Sequence, residues 1–561
     1  MSLAGHEREL SARAVAFGLL LGVPLAAANV YAGLKLGVVD SGGTTIILLA
    51  FAAFGTGRRR FSPRETTVSQ VAGSSAATMA LTAGLVGPIP ALAMSGRAID
   101  PGSVVLWGCA LAIFGSLLAI PFRRTFLEVK QLAFPSARAS GEVIVKLFSA
   151  EAAGGRTAVW VLVGTGAAAA AFTVARDQFQ WVPAAWYLPV ALAGVPAAAL
   201  AIGFNLSPLV IGVGVLVGAR VGISMLIGAV LAWMLIAPVL VHRGIAGASY
   251  PELVTWTLWP GAALMVTGSL TALFLGARDM LRAWRETPAA GEATAAWVRP
   301  AVIASAIAVV AVGWVGFGVH PLHGLLAVAL GAAFSLAGMQ ATGETDQTPS
   351  GPLGGLTQVM VGGLPPGGVG TPLHAGGVVN GAVTHSSQML NAWKTGEVVG
   401  SRPRQLLVAQ LAGIGIGAVA AAVAFWMVDV AYGIGTDAMP SPAALSWKAT
   451  AEAVAQGTEG MPSGAPIAAL AGGLAGVLLT LGERSKRLRC FLPSAVAMGI
   501  GFIVPAMIAI SLAVSAIAFA LIARRLPGWN QRNAPSLASG LILGEAFAGV
   551  VIAAIAVARS L

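Results

Sequence analysis

The chain has 561 residues, of which 57% are hydrophobic and 10% charged, whereas a soluble domain carries about a quarter charged residues. Mean hydropathy is +0.83, which excludes a soluble enzyme, a disordered chain and a fibrous protein and leaves an all-α polytopic integral membrane protein. The formal net charge of +11 reads as orientation of membrane helices rather than as a nucleic-acid partner.

Apolar runs of helical length begin at once. Arg8 and Arg13, followed by an apolar run reaching Ala26-Ala27-Ala28, mimic a secretory signal. Glu7 and Glu9 weaken that reading and the run continues, so 13–36 is taken as the first span. Further spans are expected at 42–57, 66–86, 103–121, 157–175, 187–204, 222–241 and 253–277. The polar stretch 278–299 then separates an N-terminal half, 1–277, from a C-terminal half, 300–561. That half holds expected spans at 300–317, 322–340, 404–428, 464–481, 491–506, 507–523 and 536–558. Two stretches, 134–150 and 371–392, are too polar or too broken to assign. The expected total is about 14–16 transmembrane helices.

Basic loops fix the orientation. Of the 33 Lys and Arg, 22 lie in the N-terminal stretch or in loops around Arg58–Arg64, Arg123–Lys130, Arg278–Arg299, Arg402–Arg404, Arg484–Arg489 and Arg524–Arg532. The positive-inside rule places these loops in the cytoplasm, in a multi-pass protein of the cell inner (cytoplasmic) membrane. The stretch 429–461, with Asp429, Asp437, Glu452 and Glu459 against Lys448, reads as the main external loop. The scheme closes only if one or two ambiguous stretches fail to cross, which predicts broken or re-entrant helices.

The halves carry weak internal similarity. Asn205–Gly214 resembles Phe491–Gly501, and the polar patch Asn29–Gly37 has a counterpart at Gln340–Asp346. Two diverged repeats are a transporter pattern, with substrate held at their interface. Gly413, Gly415 and Gly417 read as small residues for close helix packing. Only Cys109 and Cys490 are present, which excludes a disulfide framework and thiolate metal clusters. His320 and His323 flank a proline between two spans and read as an interfacial turn. No cofactor, resident metal or catalytic set is expected, and no P-loop is present to power transport by nucleotide hydrolysis.

Polar residues inside apolar surroundings are the site candidates. Asn29, Tyr31 and Lys35 end the first span. Arg138, Glu142 and Lys146 follow Pro135 at helical spacing, an acid between two bases. The segment from Ala341 to Gln358 holds Glu344 and Asp346 among prolines and glycines that forbid a regular helix; such backbone at membrane depth lines a cavity or is buried in protein. His385, Gln388 and Asn391 share a helical face, followed by Lys394. Glu545 lies within the last span, where an acid is costly unless paired or protonated.

At these residues the chain resembles the oligopeptide transporter family, including its yellow-stripe-like branch of metal-chelate transporters. Phe61-Ser-Pro-Arg64-Glu65-Thr-Thr-Val-Ser-Gln70 is similar to one family segment, and Leu132–Gly141 resembles its Tyr-Pro-Ser-Gly-Thr signature. Lys394-Thr395-Gly396 followed by Ser401-Arg-Pro403-Arg404-Gln405, and Gly343-Glu-Thr345-Asp346 ahead of Pro349, resemble two more. The resemblance covers nearly the whole length and keeps the order. It implies a secondary transporter, generally proton-coupled, importing small peptides or metal chelates. Where the family often carries two acids before Lys-Thr-Gly, this chain has Gln388 and Ala392, which tilts the expected substrate toward anionic or zwitterionic compounds.

The expected function is therefore a proton-coupled symporter working by alternating access. Asn29, Tyr31, Lys35, Arg138, Glu142, His385, Gln388, Asn391 and Lys394 are its expected substrate-binding residues, and Glu344, Asp346 and Glu545 its expected proton-coupling acids. The rival reading is a passive channel or pore for small polar solutes. The expected partners are a small-molecule or peptide substrate, protons and membrane lipid, with a homo-oligomer left open.

Overall fold

The structure, a computed structural model, describes residues 9–55, 60–97, 99–148, 153–286, 296–346, 348–365, 368–457, 461–485, 487–488 and 491–560. Arg58, Arg59, Lys486, Arg489, Cys490 and the 287–295 part of the polar linker lie outside the described residues.

The chain is almost entirely helical. The N-terminal half forms α1 (Ala12–Leu36), α2 (Gly43–Phe54), α3 (Pro63–Ala77), α4 (Met79–Thr82), α5 (Pro88–Met94), α6 (Pro101–Ala119), α7 (Pro135–Leu147), α8 (Ala153–Asp177), α9 (Pro208–Ala229), α10 (Ala237–His242) and α11 (Tyr250–Glu286). The C-terminal half forms α12 (Val298–Phe317), α13 (Pro321–Thr345), α14 (Ser350–Gly362), α15 (Gly370–Val399), α16 (Pro403–Tyr432), α17 (Pro442–Gln456), α18 (Ala465–Gly482), α19 (Ala495–Ile503), α20 (Ala506–Arg525) and α21 (Pro527–Ser560). Among the described residues, eleven helical stretches are long and apolar enough to cross a membrane. The expected spans 42–57, 66–86 and 491–506 are instead the shorter pieces α2, α3–α4 and α19.

Apolar side chains point outward as well as inward. On α18, Ile467, Leu470, Leu474, Leu478 and Leu481 are exposed along one face, while Gly472 and Gly476 are buried on the other. Lipid, not water, is the solvent that such a face fits. The buried glycines let the helices touch. A Cβ at Gly476 would stand 2.6 Å from the Leu264 carbonyl oxygen on α11, and one at Gly540 the same 2.6 Å from that of Leu162 on α8. The neighbours are Thr267-Gly268 in the first case and Thr165-Gly166 in the second, so both crossings use one small-residue device. Gly413 and Gly417 serve α16 in this way against Ala72 and Ala76, whereas Gly415 faces open space, contrary to expectation.

Three sequence expectations are corrected. The span expected at 187–204 is two short antiparallel hairpins, β1 (Ala185–Tyr187) with β4 (Gly203–Asn205) and β2 (Ala191–Leu192) with β3 (Val195–Pro196). Pro189, Gly194 and Pro196 interrupt any helix there, and Ala193 and Ala201 take positive φ. The stretch 371–392, expected to be broken, belongs to the continuous 30-residue helix α15. Asn380 donates to the Leu81 carbonyl and His385 meets the Thr82 hydroxyl on neighbouring segments, Thr384 and Ser386 donate back to carbonyls of α15 itself, and the Ser387 hydroxyl and Asn391 Oδ1 have no partner among the described residues. The external loop expected at 429–461 contains α17, which buries Ala444, Leu445, Ser446, Ala449 and Ala451.

Breaks do occur elsewhere, and they come in matched pairs. After α1 the chain turns left-handed at Gly37 (φ 75), and after α13 at Asp346 (φ 66); a short helix, α2 or α14, follows each. Asn29 secures the first break: its side chain accepts from the Asp40 N–H at 3.1 Å and donates to the Asp40 carbonyl at 2.6 Å and the Ala77 carbonyl at 2.8 Å. Further on, α7 and α17 each start with proline after a left-handed residue, Phe134 (φ 42) and Ser441 (φ 48). The Phe134 N–H donates to the Gly343 carbonyl at 2.9 Å, and the Ser441 N–H to the Leu34 carbonyl at 2.7 Å. Each repeat thus ties down the first helix of the other.

Helix packing follows the same rule. The pair α1 and α3 matches α13 and α15; α6 on α15 matches α16 on α3; α8 on α21 matches α18 on α11; α9 on α21 matches α19 on α11. The single extra helix α12 separates the repeats. It leaves α13 antiparallel to α1, because the start of α1 and the end of α13 share one end of the molecule. At that end Arg13 pairs with Glu65 at 2.8 Å, Glu9 accepts from the Arg402 N–H at 2.5 Å, and Ala137 accepts from Thr395 at 2.9 Å. Two packed units result: α1–α7 with α12–α17, and α8–α11 with α18–α21. Both halves of the chain contribute to both units.

Candidate functional site

Where the two units meet, α11 and α19 of one face α14 and α17 of the other around a cavity of about 210 Å³. Its polar lining is uncharged: Ser269, Gln358, Ser446, Trp447 and Thr450. Gln358 is 1% exposed and its Oε1 has no hydrogen-bond partner, which leaves an unmet acceptor beside a cavity. Trp447 seats α17 here. A Cβ at Gly354 or Gly376 would stand 2.5 or 2.7 Å from its ring, so two glycines on α14 and α15 form the slot that the indole fills.

The matching position in the other repeat is different. Counting from Phe134 and Ser441, the residue corresponding to Trp447 on α7 is Ser140. In the register that pairs Leu34 with Gly343 and Pro63 with Pro372, the slot glycines correspond to Thr45 and Thr67. Both the key and the slot are missing. Accordingly α17 packs on α11, α14 and α19, while among the described residues α7 and α2 have no such packing on α21. The outer face of α7 is open, with Arg138 and Glu142 paired on it at 3.0 Å.

A buried ion cluster joins the units elsewhere. Glu545 on α21 is 0% exposed. It takes Lys35 of α1 at 2.7 Å, Arg176 of α8 at 3.2 Å, the Ser207 hydroxyl at 2.7 Å and the Leu209 N–H at 2.9 Å. Arg176 also holds Asp177 at 2.5 Å and donates to the Leu206 carbonyl at 2.9 Å. Two bases and two acids cancel, and the start of α9 adds a favourable dipole. Tyr31 lies 3.4 Å from the Lys35 ammonium and packs edge-on against Tyr432. Arg176, Asp177, Ser207 and Leu209 belong to the same unit as Glu545; Lys35 alone comes from the other.

The remaining sequence candidates lie on α7, at the end of α13 and along α15. Asp346 accepts from the Ser136 N–H at 3.0 Å and from its hydroxyl, which makes it a cap on the first turn of α7 supplied by the other repeat. Glu344 is exposed and accepts from Gln340, which in turn accepts from Lys130 at 3.3 Å. Lys394 pairs with Glu397 at 3.2 Å. Gln388 and Asn391 are half-buried, and the Asn391 Oδ1 has no partner. His385 is fully buried, 2.7 Å from the Thr82 hydroxyl and 3.5 Å from that of Ser75, between α15 and α3–α4. None of the twelve sequence candidates lines the cavity at Gln358.

The sequence marks Gln358 only as the end of the broken segment from Ala341, and it does not mark Trp447 or Arg176. The available signal for Trp447 was Ser441-Pro442, which copies the pattern Phe134-Pro135 at the start of α7. For Arg176 it was a base ending an apolar run beside an acid. Among the described residues no group of three or more His, Cys, Asp or Glu is placed to hold a metal ion.

Inverted repeats, helices broken in matched places and a cavity at the meeting of two units define a membrane transporter. Residues 9–556 match the family described as OPT oligopeptide transporter protein, and the chain belongs to that family. It is 23% identical to a protein of Oryza sativa subsp. japonica named probable metal-nicotianamine transporter YSL8, over 97% of this chain and 90% of that one. It is 25% identical to the iron-phytosiderophore transporter YSL15 of the same plant, over 96% of this chain and 90% of that one. It is 22% identical to the putative oligopeptide transporter YGL114W of Saccharomyces cerevisiae, over 97% and 95%. The family is made up of membrane transporters, not enzymes.

Proposed function

We propose that this transporter is a proton-coupled symporter of the cytoplasmic membrane, carrying a small peptide-like compound or a metal chelate by alternating access. The observation that carries the reading is the difference between the matched helices. With α17 locked by Trp447 and α7 exposed, we assign the arrangement as closed at the end away from the basic loops and open at the end bearing them. Exchange of the two arrangements between inverted repeats would reverse access. The substrate contacts we assign are Gln358, Ser446 and Thr450 around the cavity, which offer hydrogen bonds and no charge. Such a lining suits a zwitterion or a charge-neutral chelate rather than a free cation. The names of the relatives, metal–nicotianamine and oligopeptide transporters, are compatible with both substrate classes.

The proton is assigned to Asp346. As a carboxylate it holds the first turn of α7; protonation removes accepting capacity from that cap and loosens α7. Glu545 is assigned a different role from the one its position in a span suggested. It is saturated by four donors and serves as the fixed side of a link between the units, with Lys35 as the part that parts. Coupling needs only that proton and substrate bind the two arrangements with different affinity.

Uptake into proteoliposomes tests the proposal. A dipeptide series and a metal–nicotianamine complex should show saturable accumulation that depends on an imposed pH gradient. Equal, non-saturable entry without the gradient would establish the passive pore instead.

A further inference from the structure

The end of the molecule remote from the basic loops holds a second pocket, of about 190 Å³, lined by Arg97, Phe317, Gly370 and His374 among others. It is separate from the cavity at Gln358 and shares no lining residue with it. Three features there point to the same missing ligand.

The first is Arg97. Its guanidinium is exposed, donates to the Phe317 carbonyl at 3.3 Å and forms no ion pair among the described residues. Asp429 lines the adjoining cavity of about 250 Å³ that Arg97 also borders, yet the two do not pair. The second is the start of α15. This 30-residue helix has Val369 at its N-cap, with no side-chain cap, and Gly370 faces the pocket. A Cβ at Gly370 would stand 2.7 Å from the Arg97 guanidinium carbon. A cation thus rests on the positive end of a long helix, an unfavourable pairing that an anion between them would relieve. The third is His374, one turn further along α15. It is 4% exposed, borders the pocket, and has no hydrogen-bond partner among the described residues. Its ring is held at 4.1 Å from Trp107 and 5.4 Å from Phe317.

We propose that Arg97, the Gly370 N–H that opens α15 and His374 form a binding site for an oxyanion, a phosphate or a carboxylate. The guanidinium supplies charge and a planar pair of donors, and the helix start supplies its dipole and the Gly370 N–H, since the Thr371 N–H donates to the Gly368 carbonyl and residue 372 is proline. His374 supplies a ring nitrogen whose position the two aromatic rings fix. The oxyanion can be free in solution or the headgroup of an anionic lipid, because the pocket lies beside α12, whose Trp314 and Val315 are exposed at the same end.

Thermal unfolding of the full chain in nanodiscs separates the outcomes. In phosphatidylcholine discs, inorganic phosphate should raise the unfolding temperature saturably over a chloride control of equal ionic strength. In phosphatidylglycerol discs, a lipid-filled site should show the raised value before phosphate is added. Arg97→Gln should weaken the apparent phosphate affinity about tenfold or more, as expected for a charge-assisted contact, and Arg97→Lys should recover part of it. Gly370→Ala keeps the charge but fills the site, so it should weaken phosphate in the same direction. A phosphate or phosphatidylglycerol response that is identical in the parent and all three variants would overturn the proposal, as would no response to either in the parent.

Discussion

The helices α7 and α17 begin alike and end up in opposite circumstances. Both follow a left-handed residue, both open on proline, and both are tied by a backbone hydrogen bond to the first helix of the other repeat. Yet α17 is pressed between α11, α14 and α19, and α7 presents Arg138, Glu142 and Lys146 to the outside. The cause is local chemistry. One helix has a tryptophan and a two-glycine slot to receive it; the other has a serine and two threonines at the corresponding positions. A repeated backbone therefore sets up two equivalent helix starts, and a few side chains decide which of the two is packed against its neighbours.

The largest expected effect breaks the link between the units. Lys35→Ala leaves Glu545 with one fewer cation in a buried setting and should cost about 3–5 kcal/mol of stability. Thermal denaturation in detergent measures it, and Lys35→Met with Glu545→Gln should recover much of the loss; equal damage in the double variant would deny that charge is the reason. Trp447→Ala attacks the packed helix, α17, directly. Removing the key should cost about 3 kcal/mol, and a cysteine at Ala449, now 3% exposed, should gain reactivity toward a water-soluble maleimide. Unchanged labelling there would separate Trp447 from gating.

Asp346→Asn tests the exposed helix, α7. Loss of the carboxylate cap should cost about 1 kcal/mol and, more tellingly, abolish gradient-driven accumulation while exchange of substrate across the membrane persists. Accumulation at the parent level would remove Asp346 from the coupling. The smallest effect belongs to Arg138→Ala. Its pair with Glu142 is exposed on both sides, so stability should change by under about 0.5 kcal/mol; a drop in uptake without a drop in stability would show that the open face meets substrate.

Several of the motif residues that drew attention in the sequence hold helices together. Glu65 closes a capping box with Ser62 and clamps Arg13 of α1. Thr395 donates to the Ala137 carbonyl and fastens α15 to α7. His385 and Asn29 satisfy backbone and hydroxyl groups in the interior. Their polarity within apolar runs was a true signal of constraint. Its spacing along the chain could not distinguish a group that lines a cavity from one that another helix covers, since both are polar positions on apolar helices. The hairpins at 185–205 show the converse limit: an apolar run with the length of a span became strands because proline and positive φ ruled out the helix.

Sequence by itself determined the solvent of this protein and its helical class. Hydropathy and helical periodicity are properties of short segments, and segments carry them whatever they pack against. Tertiary structure alone decided that the halves interleave into two units, that Lys35 meets Glu545 across the chain, and which of two matched helices is locked. Each of these depends on residues that are distant in the sequence and become neighbours only when glycine faces bring the helices together.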